Sequence, residues 1–327
     1  MKQQLEIDFL DTGTGSGDAI AFRYGDFDAK KFKVVVIDAG YKNTGKKLAD
    51  FIQTRYGTKK INLAICTHPD QDHAAGMATL IEEMDVSKVW MNIPADFSEE
   101  LLQFANDRRI TLKSLEKDFK EKYPYVTQIF EAASVKDISI YRLNRNRSFD
   151  NGVLKVLGPT EGEFKQALIN STKTKLLSES AENEIDDKET LGGETNSENE
   201  MSGIVLFQPF NNKYLFTADA GLIGLNNAID YCERNKILLT DLTWLQVPHH
   251  GSRRNIDEKI LRKIKAKTAY ISAAKDDDKH PSELVVSKLI EFGFNVYTTE
   301  GSNLRHSVNG SNRPDYSKAE PRKPKKK

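Results

Sequence analysis

Several things are scarce in this chain, and each scarcity excludes something. Cysteine occurs only twice in 327 residues, as Cys66 and Cys232. That rules out a disulfide framework and agrees with a reducing, cytoplasmic setting. No apolar run approaches the ~20 residues needed to span a bilayer, so no membrane segment is expected. The opening Met1-Lys2-Gln3-Gln4-Leu5-Glu6 lacks the apolar core of a secretion signal. Charge of one sign is also missing: 48 Lys and Arg offset 48 Asp and Glu. The whole chain therefore exerts no global pull on nucleic acid, and any such contact must come from local patches. Histidine is rare, with six residues in all and none between His73 and His249.

What remains is enough for a large core: 38% of residues are hydrophobic and 29% charged. Short apolar or alternating runs predict strands at Leu5 to Leu10, Ala19 to Tyr24, Phe32 to Ile37, Ile61 to Cys66 and Val86 to Met91. Helical spacing marks Lys46 to Tyr56 and Ala74 to Met84. Residues 95–135 read as a mainly helical, amphipathic insertion. Ile138 to Leu143 and Val153 to Leu157 read as strands around a tip carrying Arg145 and Arg147, either phosphate contacts or a solvated turn. The second half repeats the rhythm, with strands at Gly203 to Phe207, Tyr214 to Thr217, Leu242 to Val247, Thr268 to Ser272 and Val296 to Thr299. Helices fall at Gly221 to Arg234, Ile256 to Ile264 and Ser282 to Phe292. Residues 178–200 are acidic and almost free of apolar side chains, so they are expected to form a flexible loop beside the site mouth. Residues 1–310 are expected to form one domain and residues 311–327 a basic, disordered tail. His306 lies in the polar ending and is assigned no role.

The chemistry concentrates in His68-Pro69-Asp70-Gln71-Asp72-His73, directly after an apolar strand. Four potential ligands fall within six residues, and their spacing lets them diverge as the chain leaves the strand. His68 and Asp70 can face one ion while Asp72 and His73 face another. Imidazole and carboxylate together suit zinc, manganese or iron. The alternative for such a stretch is an ordinary polar turn. Asp219 ends an apolar strand, and the His249-His250 pair follows another. A pair of histidines at a strand end is unusual in a chain with so few.

The hexapeptide resembles the HxHxDH signature of the metallo-β-lactamase superfamily, with Asp70 where the second histidine usually stands. Phe9-Leu10-Asp11-Thr12-Gly13, Gly17-Asp18-Ala19, Val36-Ile37-Asp38-Ala39-Gly40, Phe216-Thr217-Ala218-Asp219-Ala220, Val247-Pro248-His249-His250-Gly251-Ser252 and Lys279-His280-Pro281 resemble its further motifs, in order. The set is most similar to the soluble hydrolase domain of ComEC-type competence proteins and their stand-alone relatives. The resemblance implies an α/β fold, the four-layer αββα metallo-β-lactamase sandwich, with two divalent metal ions. It implies metal ligation by His68, Asp70, Asp72, His73, Asp219 and His249, with Asp219 bridging. His249 is assigned to the second ion with Asp72 and His73, and His250 is its neighbour; the two could be exchanged. Asp72, His250 and His280 are the catalytic candidates. Ser252, Arg253, Arg254 and His280 are the phosphate-binding candidates, because Gly251-Ser252 is expected to open a helix whose free N–H groups attract anions. Asp18 and Asp38 are expected to orient ligand imidazoles.

The chain departs from the family pattern at Asp70 and in lacking the middle ligand histidine. Asn199 or Ser202 stands in that neighbourhood. The first ion would then have an oxygen-rich set, which favours manganese over tight zinc. The resemblance implies a metal-dependent phosphodiesterase, a nuclease acting on DNA. The alternatives are hydrolysis of a small phosphodiester such as a cyclic nucleotide, a degenerate binding or scaffold protein, and a bacterial defence effector with a regulatory protein partner.

Overall fold

The computed structural model describes residues 2–104, 110–176, 190–314, 316 and 318–323. They build two seven-stranded sheets. The first runs in the order Leu304–Val308, Gln4–Phe9, Ala19–Asp26, Lys31–Ala39, Leu63–Ile65, Val89–Trp90, Ile140–Tyr141. The second runs Asn295–Thr298, Ala266–Ile271, Leu242–Gln246, Tyr214–Phe216, Ile204–Phe207, Leu154–Gly158, Ser148–Phe149. In each sheet four strands are parallel neighbours and the rest pair antiparallel.

The parallel strands explain why the central runs are apolar at consecutive positions. Val34, Val35, Val36 and Ile37 are all buried, because both faces of their sheet are covered. Three apolar cores result. One lies between the sheets, where Trp244 packs on Phe9, Tyr214, Phe216 and Tyr270 at ring-centroid distances of 4.9–5.4 Å. The other two lie between each sheet and its outer helices. This is the four-layer αββα sandwich that the motif order implies.

Several elements differ from the sequence reading. The run Ile61 to Cys66 is split at Asn62, whose N–H and side-chain oxygen bond the Val34 backbone at 2.8 Å each. Its first residues join a separate two-stranded pairing, Lys60–Ile61 with Asp85–Val86. The helix after the ligand motif breaks into Gln71–Ala74 and Met77–Glu83. There Gly76 N–H bonds the Gly40 carbonyl at 2.8 Å, and a Cβ on Gly76 would collide with the Ala39 carbonyl oxygen. Helix Glu161–Leu176 and strand Leu304–Val308 were not anticipated. The stretch carrying Arg145 and Arg147 is not a hairpin tip. Its flanking strands belong to different sheets. Arg145 pairs with Glu163 at 3.0 Å, and Arg147 lies over the Trp90 and Tyr141 rings and donates to the Arg142 carbonyl.

Of the acidic segment 178–200, residues 178–189 lie outside the described residues. The remainder runs into a tight helical turn, Asn199–Met201, with both end residues buried. The described part of the expected tail has no regular secondary structure, yet it is anchored. Arg313 bonds Asp8 and Glu6 at 2.7 Å each, and Arg322 bonds Glu283 and Glu300. Among the described residues, no helix is long and apolar enough to cross a membrane.

Candidate metal centre

Parallel strands send all their carboxyl ends to one rim, and side chains just beyond those ends converge there. Asp38 stands near the end of Lys31–Ala39, and His68 follows Leu63–Ile65. Asp219 follows Tyr214–Phe216, and His249 and His250 follow Leu242–Gln246. Four non-glycine residues at this rim have left-handed backbones: Asp38 (φ 55), Ala218 (φ 46), His249 (φ 48) and His250 (φ 52). Such conformations cost about 1–3 kcal/mol each and are held where a site needs them.

Asp219 is at the middle. Its Oδ1 lies 3.2 Å from His73 Nε2 and 3.7 Å from His250 Nε2. Its Oδ2 lies 3.7 Å from His68 Nε2 and 3.6 Å from His249 Nε2. Asp72 Oδ2 joins the first group, 3.1 Å from His250 Nε2 and 3.8 Å from His73 Nε2. Asp70 Oδ2 joins the second, 3.8 Å from His68 Nε2. Asp72 and His73 thus share their group with His250 rather than His249, the exchanged one of the two arrangements left open by the resemblance. His73 also approaches His250, Nε2 to Nε2, at 3.4 Å.

The far sides of the rings are held. Asp38 Oδ2 contacts His73 Nδ1 at 2.9 Å and accepts from Thr67 Oγ1 at 2.6 Å. The Thr67 N–H bonds Asp38 Oδ1 at 2.8 Å, and Thr67 Oγ1 lies 3.0 Å from His68 Nδ1. Asp18 Oδ2 sits 3.7 Å from His73 Nδ1 and accepts from Gln246 at 2.5 Å. His250 Nδ1 bonds the Ser272 carbonyl at 2.8 Å. Each imidazole therefore presents Nε2 to the centre. One ligand atom from each of Asp18, His73, Asp219 and His250 lies within 4.8 Å of the others, and the same holds for Asp38, His68 and His73. Asp38 is occupied by Thr67 and by the back of His73, which makes it an orienting group rather than a ligand.

Two observations fit this cluster to a cation. His68 Nε2 and Asp219 Oδ1 are buried and lack hydrogen-bond partners among the described residues. Buried polar atoms are normally satisfied, and these two face other donors at ligand-like spacing. The electrostatics agree. Burial would raise the Asp219 and Asp72 pKa values, but the neighbouring imidazoles outweigh it and hold both low, Asp72 at about 2. Burial would lower His250, but Asp219, Asp72 and Asp18 push it up to about 9. Without a cation the carboxylates are balanced by protons on the rings; a metal ion replaces those protons. Burial raises the pKa of Asp70.

The other candidates divide. His280 is beside the cluster, its ring centroid 5.2 Å from His249 and 6.1 Å from His250. Its Nδ1 faces Asp277 Oδ2 at 3.3 Å, and Ser16 donates to the same carboxylate oxygen at 2.5 Å. Burial, then the nearby His250 and His249, lower its pKa. Ser252 does not open a helix. The next helix is Glu258–Lys263, capped by Asp257, whose side chain accepts from the Ile260 N–H at 2.8 Å. A loop with tight turns intervenes, so the expected anion-attracting helix start is absent at Ser252. The Arg253 carbonyl accepts from the Gly192 N–H at 2.7 Å, and the Arg254 side chain lies against Gly193. Beneath the helical insertion a cavity of about 190 Å³, lined by Ile93, Phe119, Tyr123 and Phe130 among others, includes none of the clustered side chains. Sequence reasoning missed Asn255, Gln246, Ser272 and Asp277. They are ordinary residues in the sequence; only the fold brings Asn255, Ser272 and Asp277 behind the imidazoles and Gln246 behind Asp18.

Fold and cluster together define a class: an αββα sandwich with a buried His/Asp centre at the strand ends, suited to divalent metal. Residues 31–132 match the family model of the metallo-beta-lactamase superfamily. The chain is similar to Zn(2+)-bound PqqB from Methylobacterium extorquens, with 11% identity, 93% of this chain and 100% of that chain covered, and a TM-score of 0.49. It is similar to CmlA, a diiron β-hydroxylase from Streptomyces venezuelae, with 10% identity and a TM-score of 0.48, covering 94% of this chain and 54% of that one. A third similar structure is the metallo-β-lactamase MIM-1 from Novosphingobium pentaromativorans, with 12% identity, 87% and 88% coverage, and a TM-score of 0.34. No curated protein matches the chain.

Proposed function

We propose that the protein is a metal-dependent phosphodiesterase, a nuclease that hydrolyses DNA with two divalent ions. The observation that carries the metal-dependent part is Asp219, whose two carboxylate oxygens face separate sets of imidazole and carboxylate donors. The DNA substrate is supported by the motif resemblance to the competence-type branch. His68, Asp70 and one oxygen of Asp219 would hold one ion; Asp72, His73, His250 and the other oxygen would hold the second. Bound ions at such a centre lower the pKa of water and polarise a phosphate oxygen.

The chain's own residues do the rest. Asp38 and the Ser272 carbonyl fix the ring orientations of His73 and His250. Asp72 and Asp219 supply negative charge that retains divalent cations. Asp277 steadies His280, which lies outside the Asp219 clusters and can bond a phosphate oxygen or pass a proton to the leaving oxygen.

The test is product analysis. Purified protein is incubated with single- and double-stranded DNA, RNA and a cyclic dinucleotide, each with manganese, magnesium or zinc. Shortened DNA that appears only with metal supports the proposal. Cleavage of the cyclic dinucleotide alone replaces the polymer by a small phosphodiester. Failure of all substrates with metal-loaded protein overturns the phosphodiesterase reading.

A further inference from the structure

We infer that a cavity at the edge of the sandwich, lined by none of the metal-centre side chains, binds a planar aromatic anion of nucleotide size, its ring among tyrosines and its phosphate against Arg305 and Lys318. This does not rest on the phosphodiesterase reading. The strands Leu304–Val308 and Asn295–Thr298 each end their sheet, and the chain end crosses between them. The Tyr316 hydroxyl accepts from the Arg305 N–H at 2.9 Å, and the Arg322 N–H donates to the Val296 carbonyl at 2.7 Å. Between these two anchors lies a cavity of about 440 Å³. Small-molecule sites typically span ~300–1,000 Å³, so a mononucleotide fits.

The lining chemistry selects the ligand. Tyr270, Tyr297, Tyr316 and His306 bring four rings to the cavity, and Arg305 and Lys318 bring two cations. Among the described residues that line it there is no carboxylate. Tyr270 meets Tyr297 edge to face, with ring centroids 5.7 Å apart. Tyr297 and Tyr316 are only half-buried, so ring surface is left for a ligand. Stacking on such rings suits any base, because every base has a π-face.

The charge requires an anion. Arg23, Arg305 and Arg313 gather around Glu6 and Asp8. Three guanidiniums thus meet two carboxylates, which leaves one positive charge in excess, and Lys318 adds another at the cavity. The Arg305 side chain is 10% exposed. One of its terminal nitrogens serves Glu6 and the Ser311 carbonyl, but its Nε is buried without a hydrogen-bond partner among the described residues. Buried donors are normally satisfied. A phosphate oxygen is the acceptor that a guanidinium suits, and it also brings the missing negative charge.

The test is calorimetry on the full chain in chelator, which keeps the metal centre unloaded and prevents turnover. The probes are deoxyadenosine monophosphate, deoxyadenosine, inorganic phosphate and a short single-stranded oligodeoxynucleotide. One mononucleotide should bind per chain, about 10- to 150-fold more tightly than the nucleoside, as bonds to charged groups imply. Lys318→Gln should narrow that advantage and leave nucleoside binding unchanged. Tyr297→Leu should weaken both about 5- to 150-fold. His280→Ala, beside the metal centre, should change neither. Lys318 is exposed, so its variant keeps the test decisive if the loss of Tyr297 disturbs the edge. Binding of the oligodeoxynucleotide alone, weakened by Lys318→Gln, would identify the ligand as a nucleotide within a strand. The inference is overturned if the nucleoside or phosphate binds as tightly as the nucleotide, or if no probe binds at millimolar concentration. It is equally overturned if both edge variants bind like the wild type, or if His280→Ala abolishes binding and so locates it at the metal centre.

Discussion

Among the described residues, two clusters of buried and half-buried carboxylates are balanced in opposite ways. On the outer face of the first sheet, Glu6 and Asp8 are enclosed by Arg23, Arg305, Arg313 and Tyr56. All four carboxylate oxygens have partners. Glu6 receives Arg305 at 2.6 Å, the Ser311 N–H at 2.6 Å, Arg23 at 2.9 Å and Arg313 at 2.7 Å. Asp8 receives Arg313 at 2.7 Å and Tyr56 at 2.7 Å. The one unpartnered atom there, among the described residues, is the Arg305 Nε, a donor that no cation would approach. At the strand-end rim, Asp70, Asp72 and Asp219 face only imidazoles, and an imidazole nitrogen and a carboxylate oxygen are left unpartnered. Guanidinium is permanently charged and forked, so it closes a cluster. Imidazole can give up its proton, so it leaves a cluster open to metal. The first cluster binds the chain end to the first strand; the second is built to be completed from outside.

Asp219→Asn gives the largest contrast, because it removes a charge from both halves of the centre. Metal binding and metal-dependent activity should be lost. In chelator the variant should be somewhat less stable than the wild type at neutral pH, since the imidazoles lose the charge that balances their protons. The wild type should gain stability with metal, by about 2.7 kcal/mol at a hundred times Kd, and the variant should gain none. Thermal unfolding with and without zinc reads both. A gain with metal in the variant equal to that of the wild type would mean that Asp219 holds no ion.

Arg313→Ala is the mirror experiment. It leaves Asp8 and Glu6 buried with fewer partners, and breaking a buried pair costs about 3–5 kcal/mol. Urea unfolding should show that loss, and metal stoichiometry should be unchanged because no centre residue is touched. Wild-type stability in the variant would mean the chain end is not held by this cluster.

The contrast also marks what the sequence could and could not reveal. The strands Lys31–Ala39, Tyr214–Phe216 and Leu242–Gln246 were legible, since burial on both faces demands unbroken apolar runs. The ligand hexapeptide was legible because its donors are contiguous. Leu304–Val308 was not, because its inward residues are only Leu304, His306 and Val308, and Arg305 is made burial-competent by Glu6, some 300 residues away. The arrangement of His249 and His250 was not legible either. It depends on two left-handed residues whose conformation no spacing rule signals. Asn255 and Asp277 act through bonds that exist only once the loops have met.

The smallest expected effect isolates one histidine. His306 packs its ring on Tyr214 at 5.2 Å between centroids and lies 3.1 Å from the Tyr214 hydroxyl. Burial alone depresses its pKa to about 4, whereas carboxylate neighbours push the more deeply buried His250 up to about 9. The direction of each shift follows from what surrounds the ring. For His306 the folded form binds its proton less readily than the unfolded chain, whose histidine titrates near ~6.5. Between those values the unfolded state holds more protons, so stability falls as the pH drops from about 6.5 toward 4. One group contributes at most about 1.4 kcal/mol per pH unit, and partial exposure of the ring reduces that. His306→Gln keeps a hydrogen-bonding group beside Tyr214 without a titrating one. Urea unfolding of both proteins in chelator, at intervals from pH 4 to 7, should show a shallower acid decline for the variant. Above pH 7 the gap between the two curves should be constant. Parallel curves through the acid range would mean that His306 is protonated without cost, and that its place between the sheets is open to water.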